Sequence, residues 1–515
     1  MNDREWGSMN EQEFETMLES SISEFPPEEI VKGVTPWKKA MKRILAGMAL
    51  CTVTLRFGEL DLSIVFPAVG IVLLLLGFRT LRRENKWFLG CFFITVLRAA
   101  FFFPTVILKT TILHSTVLSP QVTQVLGVIG LPLLFAEIVC LWGGLRAVQK
   151  KAGLPPRAGG AMALMVWYGL VCVLAAIQYD GLLLIMVIML IAYLLILRSL
   201  YLLSKELDEA GYAVQTSFLK ITDRAAALTL ALILALGCTL GYLFGGSYPM
   251  EWSAAEQPES AEADDIKSEL LELGFPDYVL NDLTPEDIEA CAGAVQVVVN
   301  VTDEPVNDGR RVSREGKNGE QSYTWFDTVY DVKELRITGV GVQLSKERET
   351  WMIFHHFLWT TDPGFYGTES IQLWPAYRND PEGWASMGDV TGRILYDRDG
   401  ETFSAPYYFL GTQTFTSESV FWGAQENTDV FAAFSMPTGG EHYRGYAAYP
   451  AAERQDGAII SSWMNYTHQK SWMQYPAVTA METRMTTARN DAGIFQTVQN
   501  AFQFYVTDEG VEIIG

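Results

Sequence analysis

Arg98 and Glu137 are the two ionisable residues that fall well inside the apolar stretches of this chain. A charge at such a depth in a bilayer is costly, and it is usually paired or functional. Arg98 lies 11 residues from the start of its apolar stretch, and Glu137 8 residues from the end of the next. At ~1.5 Å per residue, antiparallel neighbours would hold them at depths differing by roughly 4–5 Å. That gap is within reach of an arginine side chain. The expectation is an intramembrane ion pair that locks adjacent helices, with a substrate or ion pathway as the rival. Pro67, Pro104 and Pro132 also fall within apolar stretches, where proline kinks a helix.

Aromatic residues offer a second kind of chemistry. Nine of the 14 tryptophans lie in residues 247–515. Trp351, Trp359, Trp374 and Trp463 sit in strand-like runs, where indoles either fill a core or present a flat platform to a saccharide or peptide. His355 and His356 are neighbours in such a run. They therefore point to opposite faces and cannot both hold one metal. His442, beside Glu441, and His468 complete the histidines of this region. The run from Asp397 to Glu401 superficially suggests a calcium loop. It is too short for an EF-hand, and Asp399-Gly400 reads more simply as a hairpin turn. No zinc-protease, nucleophile-elbow, Walker or dinucleotide fingerprint occurs. No catalytic residue, metal or cofactor is nominated, so a binding protein is expected ahead of an enzyme.

The elements that must position these residues come in two blocks. About seven apolar runs cover 44–55, 62–78, 87–108, 122–145, 160–177, 182–197 and 225–244. Most approach the ~20 residues that a bilayer-spanning helix needs. The loops at 37–43, 79–86, 146–157 and 198–224 carry four Lys or Arg each; those at 56–61, 109–121 and 178–181 carry one, one and none. Basic residues stay on the cytoplasmic side. The alternation therefore puts the N-terminus in the cytoplasm and residues 250–515 outside, in a plasma membrane. The first run is short, so 44–78 is either two spans or a re-entrant hairpin with both ends inside.

Residues 1–36 hold 2 basic against 9 acidic residues, and 11–24 follow a helical apolar spacing. This acidic cytoplasmic arm is expected to dock on the protein's own basic loops or on a cytoplasmic protein partner. Residues 37–246, the transmembrane domain, hold 19 basic against 9 acidic. Residues 247–515 hold 17 against 42. Such acidity disfavours nucleic acid as a partner. Five of the six cysteines lie in the apolar block, so the C-terminal region cannot have an internal disulfide.

After an expected linker at 247–263, residues 264–293 read as short helices. Thr284-Pro285 supplies an N-cap with proline at the first helical position. Residues 294–515 are rich in β-branched and aromatic residues, broken at intervals of roughly ten by Gly, Pro, Asn and Asp. The expected fold is a membrane α-helical bundle of about seven transmembrane helices. An extracytoplasmic mainly-β, sandwich-like domain follows it, with a short helical lead-in. The expected role is binding or sensing of an extracytoplasmic saccharide, peptide or protein ligand. The rivals are a transporter, or an accessory subunit of one, with its pathway near Arg98 and Glu137, and a membrane-tethered enzyme.

Overall fold

The computed structural model describes residues 37–52, 56–57, 60–177, 183–210, 221–255, 261–306, 310–318, 321–329, 333–345, 350–375, 384–419, 423–453, 459–472, 474–486, 494–507 and 510–514. The acidic arm with its expected helix at 11–24 lies outside the described residues. The chain divides into two compact units. One is formed by residues through Leu108 together with His114–Thr239, the other by Lys109–Leu113 together with Leu240–Gly515.

The first unit is helical. It contains α1 (Trp37–Thr52), the two-stranded turn β1 (Arg56–Phe57) and β2 (Leu60–Asp61), α2 (Leu62–Leu81), α3 (Lys86–Leu108) and the short α4 (His114–Val117). It continues with α5 (Pro120–Lys151), α6 (Gly159–Ala176), α7 (Leu183–Glu209) and most of α8 (Asp223–Gly245). Among the described residues six helices, α2, α3 and α5 to α8, are long and apolar enough to cross a membrane. The seventh expected span is α1, which is only 16 residues long and starts with Lys38, Lys39, Lys42 and Arg43 in its first two turns. At ~1.5 Å per residue it reaches about 24 Å, short of the ~30 Å hydrocarbon core.

α1 packs along α2 through small residues. A Cβ on Gly47 would stand 2.7 Å from the Gly70 carbonyl oxygen, and one on Gly70 would stand 2.8 Å from that of Gly47. Only glycine permits so close an approach of two helix backbones. Trp37, Ala40, Met41, Ile44 and Met48, spaced by three and four, form the buried face of α1. The reverse holds for α8, where Leu228, Leu232, Leu236 and Leu243 are exposed. An apolar face of that extent suits lipid rather than water.

Residues of the basic loops meet at one end of this unit. Arg43, at the start of the first helix, pairs with Asp223 at 2.6 Å, and Arg79 Nη2 donates to the Ile221 carbonyl at 2.6 Å. Lys151 pairs with Glu84 at 2.8 Å.

The second unit is mainly β. After β3 (Ser253–Ala254) come α9 (Ala261–Glu272), α10 (Asp277–Leu280) and α11 (Pro285–Glu289). Then follow β4 (Gln296–Val306), the hairpin β5 (Arg310–Asn318) with β6 (Gln321–Val329), β7 (Lys333–Ser345), β8 (Thr350–Trp359), β9 (Glu369–Pro375) and β10 (Trp384–Ser386). The remaining elements are β11 (Thr391–Arg398), β12 (Glu401–Ala405), β13 (Phe409–Ser419), β14 (Gly423–Phe434), β15 (Glu441–Glu453), β16 (Ile460–Gln469), α12 (Ala480–Met485), β17 (Phe495–Thr507) and β18 (Gly510–Ile513).

Among the described residues two large antiparallel sheets result, and the β5–β6 hairpin forms a two-stranded sheet of its own. One of the large sheets runs β3-β12-β11-β15-β8-β7-β4, with β10 on β15; the other runs β13-β14-β9-β16-β17-β18. Alternate residues of both sheets form one core, with Ile337, Ile353 and Phe357 from the first and Ile371, Phe434, Met464 and Phe502 from the second. This is sandwich packing. The Asp399-Gly400 turn joins β11 to β12 with φ of 54° and 82°, as a tight two-residue hairpin requires.

The other face of the first sheet is covered by the helical lead-in. Leu270, Phe275, Val279, Leu280 and Ile288 pack on Val340, Val342, Met352 and Phe354. The start of the expected linker at 247–263 is folded rather than solvated. Tyr248 stacks on Tyr408 at 4.6 Å, Trp252 meets Tyr396 edge-on at 4.8 Å, and β3 pairs with β12. Two aromatic residues have enough apolar surface to overcome the polar composition around them.

Candidate functional site

The structure brings Arg98 and Glu137 together. α3 and α5 are neighbours, and Arg98 Nη1 donates to Glu137 Oε2. The other carboxylate oxygen accepts from Thr95 Oγ1 at 3.0 Å. The Glu137 side chain is 2% exposed and that of Arg98 21%. Further polar groups come from α1, α6 and α7. Thr52 Oγ1 lies 2.9 Å from both Tyr168 OH and Tyr193 OH, and Tyr193 OH donates to the Met48 carbonyl at 2.9 Å. Tyr168 and Cys51 lie within electrostatic reach of Arg98. Five helices thus contribute polar groups to one region of an otherwise apolar unit. The arrangement neutralises charge and joins helices; the same groups are the ones a pathway would use.

The four tryptophans do not share one surface. Trp351 and Trp359 are 0% and 1% exposed, on the face of β8 that looks into the sandwich. Trp359 Nε1 donates to Tyr466 OH at 3.0 Å. Neither ring is open to a ligand. Their period places them with Ile353 and Phe357 on the inner face. Trp374 and Trp463 lie directly opposite one another on β9 and β16, on the outer face, and are half-buried. Their rings are parallel within 2°, with centroids 6.1 Å apart. Beside them runs a polar strip. Gln372 Nε2 donates to Asp429 at 2.6 Å, and its Oε1 accepts from Asn465 at 3.1 Å and from Arg484 at 3.0 Å. Arg484 is carried by α12, whose N-terminus is a capping box of Thr479 and Glu482.

His355 and His356 do point to opposite faces. His355 Nε2 lies 2.6 Å from Ser462 Oγ, which is also 2.5 Å from Tyr449 OH. A histidine beside a serine invites comparison with a nucleophile and its base. Here, among the described residues, no carboxylate orients the ring and His355 Nδ1 has no hydrogen-bond partner. The group is fully buried, and burial pushes the His355 pKa down to about 3. This is a packed core polar contact with no access for substrate.

Spacing did not disclose the polar network outside the first sheet. Asp282 accepts from Arg444 Nε at 2.8 Å and lies 2.9 Å from His356 Nε2. Arg444 Nη1 donates to Asp397 at 2.9 Å, and Arg393 donates to the carbonyls of Asp282 and Leu283. Burial alone would raise the Asp282 carboxyl, but His356 and Arg444 outweigh it and hold the carboxyl below the usual range. Asp287 accepts from Thr391 at 2.6 Å and from Tyr446 OH. These contacts pin the helical lead-in to the sheet. They also occupy Asp397, the first residue of the superficial calcium loop. A second buried pair, Glu369 with His468 at 2.8 Å, lies inside the sandwich. Burial pushes the Glu369 carboxyl up despite the opposing pull of His468. Among the described residues no group of three or more His, Cys, Asp or Glu is placed to hold a metal ion.

Lys109–Leu113, between α3 and α4, belongs to the β unit. The Ala477 N–H donates to the Lys109 carbonyl at 2.8 Å, and the Ile112 N–H to that of Gly245 at 2.8 Å. Ile112 is buried with Tyr248 and Ala433.

No protein-family model matches this chain, and no curated protein matches it. Solved structures that align with it include one named "Pore forming protein", at 8% identity, covering 40% of this chain and 100% of that one, with a TM-score of 0.19. A likeness that low carries no argument about fold or function.

Proposed function

We propose that this chain is a multi-pass plasma-membrane protein that senses an extracytoplasmic ligand through its sandwich domain. The N-terminus is cytoplasmic and residues 250–515 are outside. The observation that carries the reading is the docking of Lys109–Leu113 into the β unit through backbone hydrogen bonds and the buried Ile112. The chain reaches the sandwich both at its C-terminal block and between α3 and α5. A change in the sandwich therefore bears on two separate helices. α3, which leads into this segment, carries Arg98 and its contact to α5. The gathering of basic loops at one end supports the orientation, since such residues stay cytoplasmic.

The ligand class is a wall saccharide, a peptide or a partner protein, met at the parallel Trp374–Trp463 pair and the polar strip beside it. Stacked indoles recognise the flat apolar faces of sugars and aromatic side chains. The acidic arm, residues 1–36, carries the state to a cytoplasmic protein partner. The transporter reading is favoured by one observation, the convergence of Arg98, Glu137 and the hydroxyl groups of Thr52, Thr95, Tyr168 and Tyr193 from five helices.

Indole fluorescence of the purified full-length protein, titrated with soluble wall glycopeptides, tests the sensing reading. A saturable change that is lost in Trp374→Ala and Trp463→Ala is expected. Titrations that leave the spectrum unchanged, or changes that persist in both variants, would remove the site.

A further inference from the structure

The connection from β16 to α12 holds an indole out of the fold. Trp472 is 60% exposed. The backbone around it is braced on both sides. Gln469 Nε2 donates to the Ser471 carbonyl at 2.9 Å, and the Lys470 N–H donates to the Ile494 carbonyl at 2.6 Å. After it, the Gln474 amide donates to the Val478 carbonyl at 2.9 Å and accepts from the Val478 N–H at 3.2 Å. Trp472 is therefore presented by an ordered turn rather than by a loose end. A large ring left open on braced backbone marks a contact surface.

Its neighbour identifies what that surface meets. The Trp472 and Tyr242 ring centroids lie 6.3 Å apart, and both residues belong to the second unit. Tyr242 sits in the last turn of α8, among Leu240, Leu243 and Phe244, which are exposed, Phe244 at 83%. The open indole is thus continuous with the apolar face of α8 that suits lipid. Length fixes the level. Tyr242 lies 19 residues after Asp223, the first residue of α8. At ~1.5 Å per residue that is about 29 Å, against a hydrocarbon core of ~30 Å. Asp223, paired with Arg43, marks the end where the basic residues gather. Tyr242 therefore stands where acyl chains give way to headgroups on the other side, and Trp472 is within one ring contact of that level. Indoles and phenols settle there because the ring leaves water while its N–H or O–H still finds a polar partner.

We propose that Trp472 is a lipid anchor, its ring entering the outer leaflet beside Tyr242 at the boundary of headgroups and acyl chains. The partner is the phospholipid surface itself. The anchor follows directly on β16, the strand that carries Trp463 and Asn465, so the strand bearing the ligand platform ends at the membrane surface. The proposal goes beyond ligand sensing and rests only on α8 crossing a bilayer.

Spin-label accessibility of the full-length protein, in a background without native cysteines and reconstituted in dioleoyl phosphatidylcholine vesicles, tests it. Nitroxides are placed by Trp472→Cys, by Leu232→Cys on the apolar face of α8 and by Glu401→Cys in the exposed β11–β12 turn. Collisions with oxygen, which concentrates among acyl chains, are compared with collisions with a water-soluble nickel chelate. Oxygen should prevail at 232, nickel at 401, and oxygen by a smaller margin than at 232 should prevail at 472. A second label, Ser471→Cys, keeps the indole in place; adding Trp472→Ala should shift it toward nickel. A label at 472 that behaves like the one at 401 would overturn the anchor. So would a label shielded from both reagents, which would mean that protein, such as a second copy of the chain, covers the ring. A Ser471→Cys label unmoved by Trp472→Ala would also refute it. Nickel prevailing at 232 would instead refute the membrane reading on which the anchor rests.

Discussion

Removing one member of the Arg98–Glu137 pair should cost far more than its surface would suggest, and unequally for the two partners. Arg98→Met leaves the Glu137 carboxylate, 2% exposed, with Thr95 as its hydrogen-bond donor. An uncompensated buried charge of this kind costs about 3–5 kcal/mol. Glu137→Gln leaves a guanidinium with about a fifth of its surface open. Its loss should fall at the low end of that range, because partial solvation offsets the missing partner. The double change replaces two charges with neutral groups of similar size, so it should cost less than the two single losses together. At ~2–4 °C per kcal/mol for a unit of this size, Arg98→Met should lower the melting midpoint by roughly 6–20 °C. The assay is thermal unfolding in one detergent at one scan rate, for the parent, both single variants and the double. Losses that add within ~0.5 kcal/mol would show two uncoupled residues and refute the lock. A double variant that recovers stability but loses activity in the cell would give the pair a role beyond packing.

Four other outcomes follow from the same geometry. In a background without native cysteines, Glu401→Cys should be labelled on intact cells and Lys205→Cys only after permeabilisation, and the opposite pattern would invert the topology; Ser204, 1% exposed, is too buried to report. Ile112→Asp buries a charge beside Tyr248 and should cost about 2–4 kcal/mol, seen as proteolysis between Leu108 and His114 that the parent resists. His355 is held neutral to about pH 3, so stability should be fully present above ~6.5 and fall as pH drops toward 3. The slope is at most ~1.4 kcal/mol per pH unit, and His355→Gln should flatten the difference between the two melting curves. A fragment starting at residue 264 should melt below one starting at 246, because Tyr248, Trp252 and β3 are lost; burial of each aromatic contributes about 2 kcal/mol, and equal midpoints would return 247–255 to the status of a linker.

Composition and period determined the broad plan. Apolar runs near twenty residues and the later runs of β-branched and aromatic residues read directly as helices followed by antiparallel strands, because both signals are local. The Asp399-Gly400 turn and the Thr284-Pro285 cap are equally local, and sequence sufficed for both. The opposite faces of His355 and His356 needed only the two-residue strand period. Tertiary structure decided what that period could not. It set Trp351 and Trp359 inward and left Trp374 and Trp463 on the outer face, since a strand has two faces and sequence does not say which meets the other sheet. It assembled Asp282, Asp287, Asp397, Arg393 and Arg444, which are scattered over 162 residues, because antiparallel pairing brings distant positions side by side. It folded Tyr248 and Trp252 onto the sandwich although the polar residues around them read as a linker. The hollow beside the start of α6 is equally a product of packing: Gln149 of α5 and Ser199 and Glu206 of α7 line it together, and burial and contact are properties of packing rather than of the chain order.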